Sequence, residues 1–306
     1  MSPGLPSKRP ASPRISSPSI GDLIKGETPT FSFEFFPPKT AAGEQLLWQA
    51  IRELESLRPS FVSITYGAGG TTREGTIRVT SRIAKETSLT PMAHLTCVGH
   101  TAEELRAILR AYAEGGVHNV MVLRGDPTDG PGTAWTATEG GFNYASELVD
   151  LVHSLDGFGI GVAAFPEGHR DAASLEADAL VMRRKYDAGA DFAVTEMFFR
   201  ASDYFGLVER CAANGVEFPI IPGIMPITNL RSVERMTELS GRDVPPEVLA
   251  RFEGVTDPAE VRRIGIEVAT ELCDKLLAGG APGLHFYTLN RSKATREIYA
   301  GLGSRV

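Results

Sequence analysis

The feature that most limits the possible folds of this chain is a regular alternation of short apolar runs with longer amphipathic runs. Each of eight apolar runs is followed by a segment with helical periodicity. Strands that alternate with helices indicate parallel pairing. Eight such units within about 250 residues match the count and size of a (β/α)₈ barrel. The predicted strands are 31–36, 61–65, 91–97, 117–124, 158–165, 191–199, 218–224 and 284–289.

A doubly wound open sheet is the alternative arrangement for alternating strands and helices. Such sheets usually carry a glycine-rich phosphate-binding turn, G-x-G-x-x-G, after the first strand. No such turn follows Phe36, so we predict an α/β fold of the (β/α)₈ TIM-type barrel class. Residues 1–21 are rich in serine and proline, and we predict a disordered tail there, followed by a single catalytic barrel over 22–306.

Composition restricts the classes of function. The chain of 306 residues has a net charge of −7, so nucleic acid is not an expected partner. No apolar run approaches the ~20 residues of a membrane span, and we expect no membrane partner. The three cysteines lack CxxC spacing, which favours free thiols in a reducing compartment such as the cytoplasm. No pair or triple of histidines has metal-ligand spacing, so we predict no metal site.

Polar side chains recur at the ends of the predicted strands. In a (β/α)₈ barrel the active site lies at the C-terminal ends of the strands. A purely structural barrel gains nothing from burying many polar groups there, because each one needs a partner. The pattern therefore favours an enzyme. The side chains are Glu34, Thr65, His94, Thr96, Arg124, Asp126, Glu167, His169, Glu196, Tyr287, Asn290 and Arg291.

Glu34 is the most informative of these residues. Strand alternation separates it from Phe33 and Phe35, which we expect to pack toward the helices, and leaves the carboxyl in the lumen. A poorly solvated carboxyl favours its acid form, which makes Glu34 a candidate proton donor near neutral pH. An ion pair with a lumen arginine or lysine is an equally good interpretation of the strand alone.

The loop after the fourth strand begins with three residues that suit a ligand. Arg124 has forked donors that suit a phosphate. Gly125 lets the backbone approach a ligand closely, and Asp126 suits paired N–H donors such as an aminopyrimidine edge. A salt bridge within the loop is the alternative interpretation.

Charged residues also cluster on the helix that follows the fifth strand. Asp178 lies about two turns before Arg184 and Lys185. A solvated charged face is the alternative interpretation of this helix. His94 and His169 are lone histidines, for which a structural role is the default.

Taken in order, these segments resemble the methylenetetrahydrofolate reductase family. The matching segments run from about Phe31 to Leu302 and include FEFFPPKT, VSITYGAGG, AHLTCVG, LRGDP, VAAFPEGH, IPGIMP and PGLHFYTLNR. The resemblance implies a barrel that holds FAD noncovalently at the strand C-termini. It implies that NAD(P)H first reduces the flavin, and that methylenetetrahydrofolate then replaces it and is reduced to 5-methyltetrahydrofolate. It also implies a homo-oligomer.

The resemblance further implies roles for single residues. Glu34 matches the general acid, and Asp126 matches a residue that meets both the pterin and the flavin. Together with these two, Glu196, Tyr287 and Arg291 are expected to contact the substrate. The expected FAD contacts are Thr65, His94, Arg124, Gly125, Asp126, Tyr144, Ala145, Phe165, His169, Asp178, Arg184 and Lys185.

Glu196 is the largest departure from the family pattern. The family usually reads ITQ(F/L/M)FF, with a glutamine that contacts folate, whereas this chain reads VTEMFF. A carboxylate accepts hydrogen bonds but donates one only when protonated. Glu196 is therefore expected either to accept from the amino groups of the pterin or to repel a nearby acceptor. Two alternatives stay open: a diverged pterin-dependent oxidoreductase with another substrate, and a non-catalytic barrel that binds folate or flavin.

Overall fold

The computed structural model describes residues 18–66, 73–127, 133–231 and 244–303, which form one parallel sheet surrounded by helices. The strands are β1 (Thr30–Phe35), β2 (Phe61–Ile64), β3 (Pro91–Thr96), β4 (Asn119–Leu123), β5 (Gly159–Ala164), β6 (Phe192–Thr195), β7 (Ile220–Ile221), β8 (Gly223–Ile224) and β9 (Gly283–Tyr287). The helices are α1 (Ile20–Ile24), α2 (Ala41–Glu55), α3 (Arg73–Glu86), α4 (Ala102–Glu114), α5 (Ala145–Ser154), α6 (Leu175–Asp187), α7 (Ala201–Ala213), α8 (Pro246–Leu249), α9 (Pro258–Ala278) and α10 (Lys293–Leu302).

The sheet closes into a barrel through a broken strand. Its order is β7-β6-β5-β4-β3-β2-β1-β9-β8, and neighbouring strands in this order pair in parallel. β7 pairs with β6 and β8 pairs with β9, while only Pro222 separates β7 from β8. Proline has no N–H to donate, but its carbonyl accepts from the backbone N–H of His285 at 3.0 Å. The two short strands thus act as one strand that joins the two edges of the sheet.

The predicted (β/α)₈ barrel is confirmed, with two differences in its strands. The continuous strand predicted over 218–224 is interrupted at Pro222. The strand predicted over 191–199 ends at Thr195, because the N–H of Met197 donates to the side chain of Glu196 at 3.0 Å and not to a neighbouring strand.

Local sequence signals set where several helices begin. α4 starts with a capping box, in which Thr101 Oγ1 accepts from the N–H of Glu104 and Glu104 Oε2 accepts from the N–H of Thr101. α6 starts after Ser174, whose hydroxyl accepts from the N–H of Ala177 at 3.1 Å. This cap fixes the first turn of the helix that carries Asp178.

The main core lies between the sheet and the helices. Phe33 and Phe35 are fully buried and point outward from β1, as predicted, into a cluster that includes Leu47 and Ile51 of α2. The alternation along β1 therefore leaves Glu34 on the lumen side. Its position in the lumen is confirmed.

A second core fills the lumen at the N-terminal ends of the strands. It comprises Ile20, Ile24, Phe61, Met92, Met121, Phe192, Val194 and Ile221. α1 supplies the first two of these and is tied in place by Asn119, whose side chain accepts from the N–H of Ile20 at 3.0 Å and donates to the carbonyl of Pro18 at 3.3 Å. The short helix closes this end of the barrel.

The predicted boundary between tail and barrel falls inside α1. Ile20 is fully buried, so the folded part of the chain begins before the predicted residue 22. Residues 1–17 of the predicted tail lie outside the described residues. In the part of the chain that the structure describes, no helix is both long and apolar enough to cross a membrane.

Candidate active site

A cavity of about 540 Å³ opens at the C-terminal ends of the strands, opposite α1. Met121 and Val194 belong to the apolar cluster of the lumen and also line the cavity, so they form its floor. The structure brings eight of the residues singled out from the sequence together in the wall of this cavity. They are Glu34, Thr65, His94, Thr96, Gly125, Asp126, Glu196 and Tyr287.

Glu34 is the centre of a buried polar cluster. Its Oε2 accepts from Ser63 Oγ at 3.2 Å and lies 3.3 Å from His285 Nε2. His94 Nε2 is 3.2 Å from the same oxygen, but without the alignment of a hydrogen bond. On its far side, His285 Nδ1 bonds Ser32 Oγ at 2.7 Å. One carboxylate oxygen therefore meets two imidazoles and a hydroxyl.

This cluster reverses the acid–base expectation for Glu34. Burial by itself raises the pKa of the carboxyl, as the sequence predicted. The charge of His94 and the hydrogen bonding of His285 outweigh burial and lower the pKa to about 2. The prediction that Glu34 is protonated by its apolar surroundings is therefore wrong for the ligand-free protein, because two histidines stand behind it. Among the described residues, the charged partners of Glu34 are these two histidines and not a lumen arginine or lysine.

Ser63 and His285 were missed by reading strand ends alone. Both lie inside their strands, and the register places Ser63 opposite Glu34 and His285 opposite Ser32. The signal in the sequence is alternation, because His285 and Tyr287 share one face of β9 and Ser63 shares a face with Thr65. Reading every inward position of each strand would have found both residues.

Gly125 can only be a glycine in this backbone. Its φ is +84°, and a Cβ would come within 2.5 Å of Val98 Cγ1. The tight turn sends Asp126 to the cavity wall. Arg124 turns away and pairs with Asp171, with Nη2 3.0 Å from Oδ2. In the described part of this loop, the alternative of a salt bridge between Arg124 and Asp126 is not observed.

Glu196 faces the cavity at the end of β6. Its Oε1 accepts from the N–H of Met197 at 3.0 Å. The hydroxyl of Tyr287 points past it to the carbonyl of Thr195 at 2.5 Å. Burial raises the pKa of Glu196, and the negative charges of Glu34 and Asp126 raise it further. Among the described residues, no cation lies within ion-pairing distance of its carboxyl.

The other predicted cofactor residues do not line the cavity. They are Arg124, Tyr144, Ala145, Phe165, His169, Asp178, Arg184 and Lys185. Contacts join four of them: Asp171 lies near both Arg124 and His169, and Phe165 contacts His169 and lies near Lys185. Phe165 meets His169 edge to face with 4.7 Å between ring centroids. Lys185 connects this group to the cavity, because its Nζ donates to the carbonyl of Ala163 at 2.7 Å and Ala163 is a wall residue.

The charges on α6 are not a simple solvated face. Asp178 and Lys185 are buried, whereas Arg184 is exposed. Burial lowers the pKa of Lys185 to about 8, against the attraction of Asp178, and burial raises the pKa of Asp178. Burying both charges costs free energy, which favours a ligand-related role over a purely structural one.

Arg291 lies outside the cavity wall. It is exposed at the end of the loop after β9, and its backbone N–H donates to the carbonyl of Thr288 at 2.9 Å. In the described residues, no group of three or more histidine, cysteine or carboxylate side chains is arranged to hold a metal ion.

Comparison with known proteins gives this arrangement a family. The family model described as Methylenetetrahydrofolate reductase matches residues 19–303. This chain belongs to the methylenetetrahydrofolate reductase family. The resemblance read from the sequence motifs is thereby confirmed.

Curated members of this family align along most of the chain. The 5,10-methylenetetrahydrofolate reductase of Escherichia coli is 40% identical over 275 residues, which cover 90% of each chain. Methylenetetrahydrofolate reductase (NADH) 1 of Zea mays is also 40% identical, but the match covers 89% of this chain and 48% of that longer protein. Family membership supports reduction of methylenetetrahydrofolate.

A solved structure shares the barrel at low sequence identity. It is an uncharacterized protein from Clostridium thermocellum that binds two copies of 5-methyl-5,6,7,8-tetrahydrofolic acid. The TM-score is 0.65 at 12% identity, over 94% of this chain and 99% of that chain. This likeness shows the fold.

Proposed function

We propose that the protein reduces 5,10-methylenetetrahydrofolate to 5-methyltetrahydrofolate, with noncovalent FAD as the hydride carrier and NAD(P)H as the reductant in a ping-pong sequence. The observation that carries the proposal is the cavity itself. Its wall holds the buried carboxylate of Glu34 with His94, and His285 contacts the same carboxylate from within β9. Two further carboxylates, Asp126 and Glu196, also line the cavity. The net reaction consumes one hydride and one proton, so the site needs both a hydride carrier and a proton source.

The residues of the cavity wall fit a flavin. Thr65 Oγ1 and Thr96 Oγ1 are buried and have no hydrogen-bond partner in the described residues. Unpartnered buried hydroxyls are costly, and the polar edge of a flavin ring would satisfy them. The cationic group beyond Ala163 suits the pyrophosphate of FAD, with Arg124, Arg184 and Lys185 as the proposed partners. In that position a bound FAD would supply a hydride carrier between the nicotinamide and the one-carbon unit.

Glu34 is the proposed proton donor to the folate. Opening the imidazolidine ring to a reactive iminium ion requires a proton on a ring nitrogen. Because its two histidines keep Glu34 ionised in the ligand-free protein, we propose that the proton is held by the cluster and passes through Glu34. His285 Nε2 is 3.3 Å away from its carboxylate, within reach for that transfer.

Asp126 and Glu196 are the proposed contacts to the pterin. Both line the cavity, and each can accept hydrogen bonds from pterin N–H groups when ionised. We propose that Tyr287 positions this wall, since its hydroxyl is fixed on Thr195. The homo-oligomer, the cytoplasmic location and the substrate contact of Arg291 are proposals that rest on the family resemblance.

Anaerobic stopped-flow spectroscopy tests the proposal. Protein reconstituted with FAD should bleach on mixing with NADH or NADPH, and methylenetetrahydrofolate should then restore the oxidised flavin spectrum. The comparison of the two nucleotides decides the reductant. Purified protein that cannot be reconstituted with FAD would contradict the cofactor. Bleaching without reoxidation by the folate would contradict the substrate.

A second candidate keeps the flavin and changes the substrate. Glu196 stands where the family usually has glutamine, and the negative charges of Glu34 and Asp126 in the same cavity raise its pKa in addition to burial. This observation favours a pterin-dependent oxidoreductase with another substrate, should the stopped-flow test show bleaching without reoxidation by methylenetetrahydrofolate.

A further inference from the structure

Phe36 is an aromatic side chain that the structure leaves uncovered at the cavity. It is 38% exposed, whereas Phe33 and Phe35 before it are fully buried. Phe36 follows the end of β1, and it lines the cavity together with Glu34. The alternation of β1 therefore continues one step beyond the strand and puts the ring on the side of the acid.

The backbone of Phe36 is held more firmly than a loop residue requires. Asn290 Oδ1 accepts from the N–H of Phe36 at 2.8 Å, and Asn290 Nδ2 donates to the carbonyl of Phe36 at 2.9 Å. Thr288 Oγ1 donates to the carbonyl of Glu34 at 2.5 Å. Pro37 and Pro38 follow directly and limit the backbone further. The loop after β9 thus fixes Glu34 and Phe36 together.

We call the contacts of Thr288 and Asn290 with Glu34 and Phe36 the clamp. Its backbone is strained, because Leu289 and Asn290 are consecutive residues with φ of +51° and +57°. Asparagine tolerates this region, but a leucine there costs free energy. Strain of this kind persists where the surrounding structure imposes it, and it clusters at ligand sites. Here the strained residues Leu289 and Asn290 place the side-chain amide of Asn290 where it forms hydrogen bonds with the backbone of Phe36.

Phe36 lies across the barrel from part of the cavity wall, whereas the proposed flavin contacts Thr65 and Thr96 lie nearer to it, at β2 and β3. β1 and β9 carry Phe36 and its clamp, while Gly125, Asp126 and Ala163 follow β4 or lie in β5. In the sheet order, β5 is four strands from β1 on one side, which is the far side of an eight-strand barrel. The ring therefore lies on the same wall of the cavity as Glu34 and opposite the wall formed by β5.

We propose that Phe36 is a stacking wall for the pterin ring of the folate substrate, held in place by Asn290 as a positioning residue. This inference rests on the proposed function. A pterin is flat and heteroaromatic, and an exposed phenyl ring at a fixed position suits it. The folate is the ligand on which Glu34 acts, and Glu34 and Phe36 share one face and one clamp.

Equilibrium binding of 5-methyltetrahydrofolate to the oxidised FAD-loaded protein tests the inference, measured by titration calorimetry. Phe36→Leu keeps an apolar side chain but loses the ring, and should raise the Kd roughly three- to tenfold. Phe36→Tyr keeps the ring and should stay within about twofold of wild type. The Kd for FAD should be the same in all three proteins.

Asn290→Gly tests the clamp without adding strain, because glycine adopts positive φ freely. It should raise the folate Kd in the direction of Phe36→Leu. Adding Phe36→Leu to it should cost less than Phe36→Leu costs alone, since the ring is already misplaced. A Phe36→Leu protein with the wild-type Kd, or a Phe36→Tyr protein as weak as Phe36→Leu, overturns the inference alone. A wild-type protein that loads FAD but does not bind the folate overturns the proposed function with it.

Discussion

The two ends of the barrel lumen hold opposite kinds of side chains, although the same strands supply both. β2 contributes Phe61 at the end closed by α1 and Ser63 further along. β3 contributes Met92 at the closed end and then His94 at the cavity. β6 begins with Phe192 and is followed by Glu196. Inward positions along one strand, spaced two residues apart, therefore change from apolar side chains of the core to polar side chains at the cavity.

The difference has a free-energy meaning. The closed end buries apolar side chains, which stabilises the fold. The open end buries Glu34 and Glu196, whose desolvation opposes folding. The apolar burial at the closed end offsets the free-energy cost of the buried carboxyl groups at the open end. Substitutions at the two ends should then separate activity from stability.

The largest expected effect is on activity, from Glu34→Gln at the open end. Glutamine preserves the shape of the side chain but cannot release a proton to the folate. The nicotinamide half-reaction should proceed, while reoxidation by methylenetetrahydrofolate should slow by about 10²–10⁴. Stopped-flow measurement of the two steps checks this. Glu44→Gln, which changes a surface carboxylate paired with Arg78, is the matched control. Equal slowing of both steps would assign Glu34 a structural role.

At the closed end, Ile20→Ala should reduce stability and spare the chemistry. Ile20 is fully buried in the lumen cluster, and such a truncation costs about 2–5 kcal/mol. The control Leu46→Ala removes a side chain that is 60% exposed and should change stability by no more than about 0.5 kcal/mol. Urea unfolding measures both. If the two variants lose the same amount, α1 is not what stabilises this end.

The sequence predicts the barrel because its signals repeat. Eight alternations of strand and helix leave few topologies with short connections, and each added unit supports the same answer. The helix α1 has no such support. Its five residues lie beside a serine- and proline-rich segment. Their contacts are distant in sequence: Asn119 accepts from the N–H of Ile20, and the side chain of Ile20 is buried in the lumen cluster. The break at Pro222 is likewise explained only by the closed sheet, in which β7 pairs with β6 and β8 pairs with β9.

The sequence predicted the positions of the candidate site residues at the strand ends, but it did not predict the low pKa of Glu34. The lumen position of Glu34 follows from alternation. Its low pKa follows from His285 and His94, and the register that brings His285 to it joins residues 251 apart in the chain. No local pattern encodes that pairing. Phe36 and Asn290 were visible as residues, but the clamp between them exists only in three dimensions.

An intermediate effect, on the affinity for FAD, is expected from Arg184→Ala. This variant tests whether the ligand site extends beyond the lumen to α6. Arg184 is exposed on α6 beside the buried Lys185. Loss of a charge-assisted contact to a cofactor phosphate costs about 1.5–3 kcal/mol, which is roughly ten- to a hundredfold in FAD affinity. Flavin fluorescence titration of Arg184→Ala measures this loss.

Arg183→Ala is the matched control for that variant. Arg183 is the preceding residue of α6, but its guanidinium pairs with Asp187 at 2.8 Å, so its removal should leave the affinity for FAD unchanged. Equal losses from the two variants would mean that the general charge of α6, and not Arg184, attracts the cofactor.

The smallest expected effect, and the one that sharpens the comparison most, comes from Glu196→Gln. The folded state raises the pKa of Glu196 above its ordinary value of 4.5, chiefly through burial. Folding therefore favours the protonated form, and ionisation above that ordinary pKa works against the folded state. Glutamine cannot ionise. The variant should match wild type in stability at acid pH and exceed it increasingly as the pH rises through the titration of Glu196, as thermal unfolding at a series of pH values would show.

Glu196→Gln should change the pH dependence of the folate half-reaction but not that of the nicotinamide half-reaction. Protonated Glu196 resembles glutamine, because it can both donate and accept, whereas the ionised form only accepts. The rate of reoxidation by methylenetetrahydrofolate should lose one pH-dependent step in Glu196→Gln, while the nicotinamide half-reaction keeps its profile. If the variant gains activity with the folate that wild type lacks, Glu196 marks a change of substrate. If neither stability nor either pH profile responds, the carboxyl of Glu196 does not titrate within the cavity, and the polar end of the lumen is limited to the cluster around Glu34.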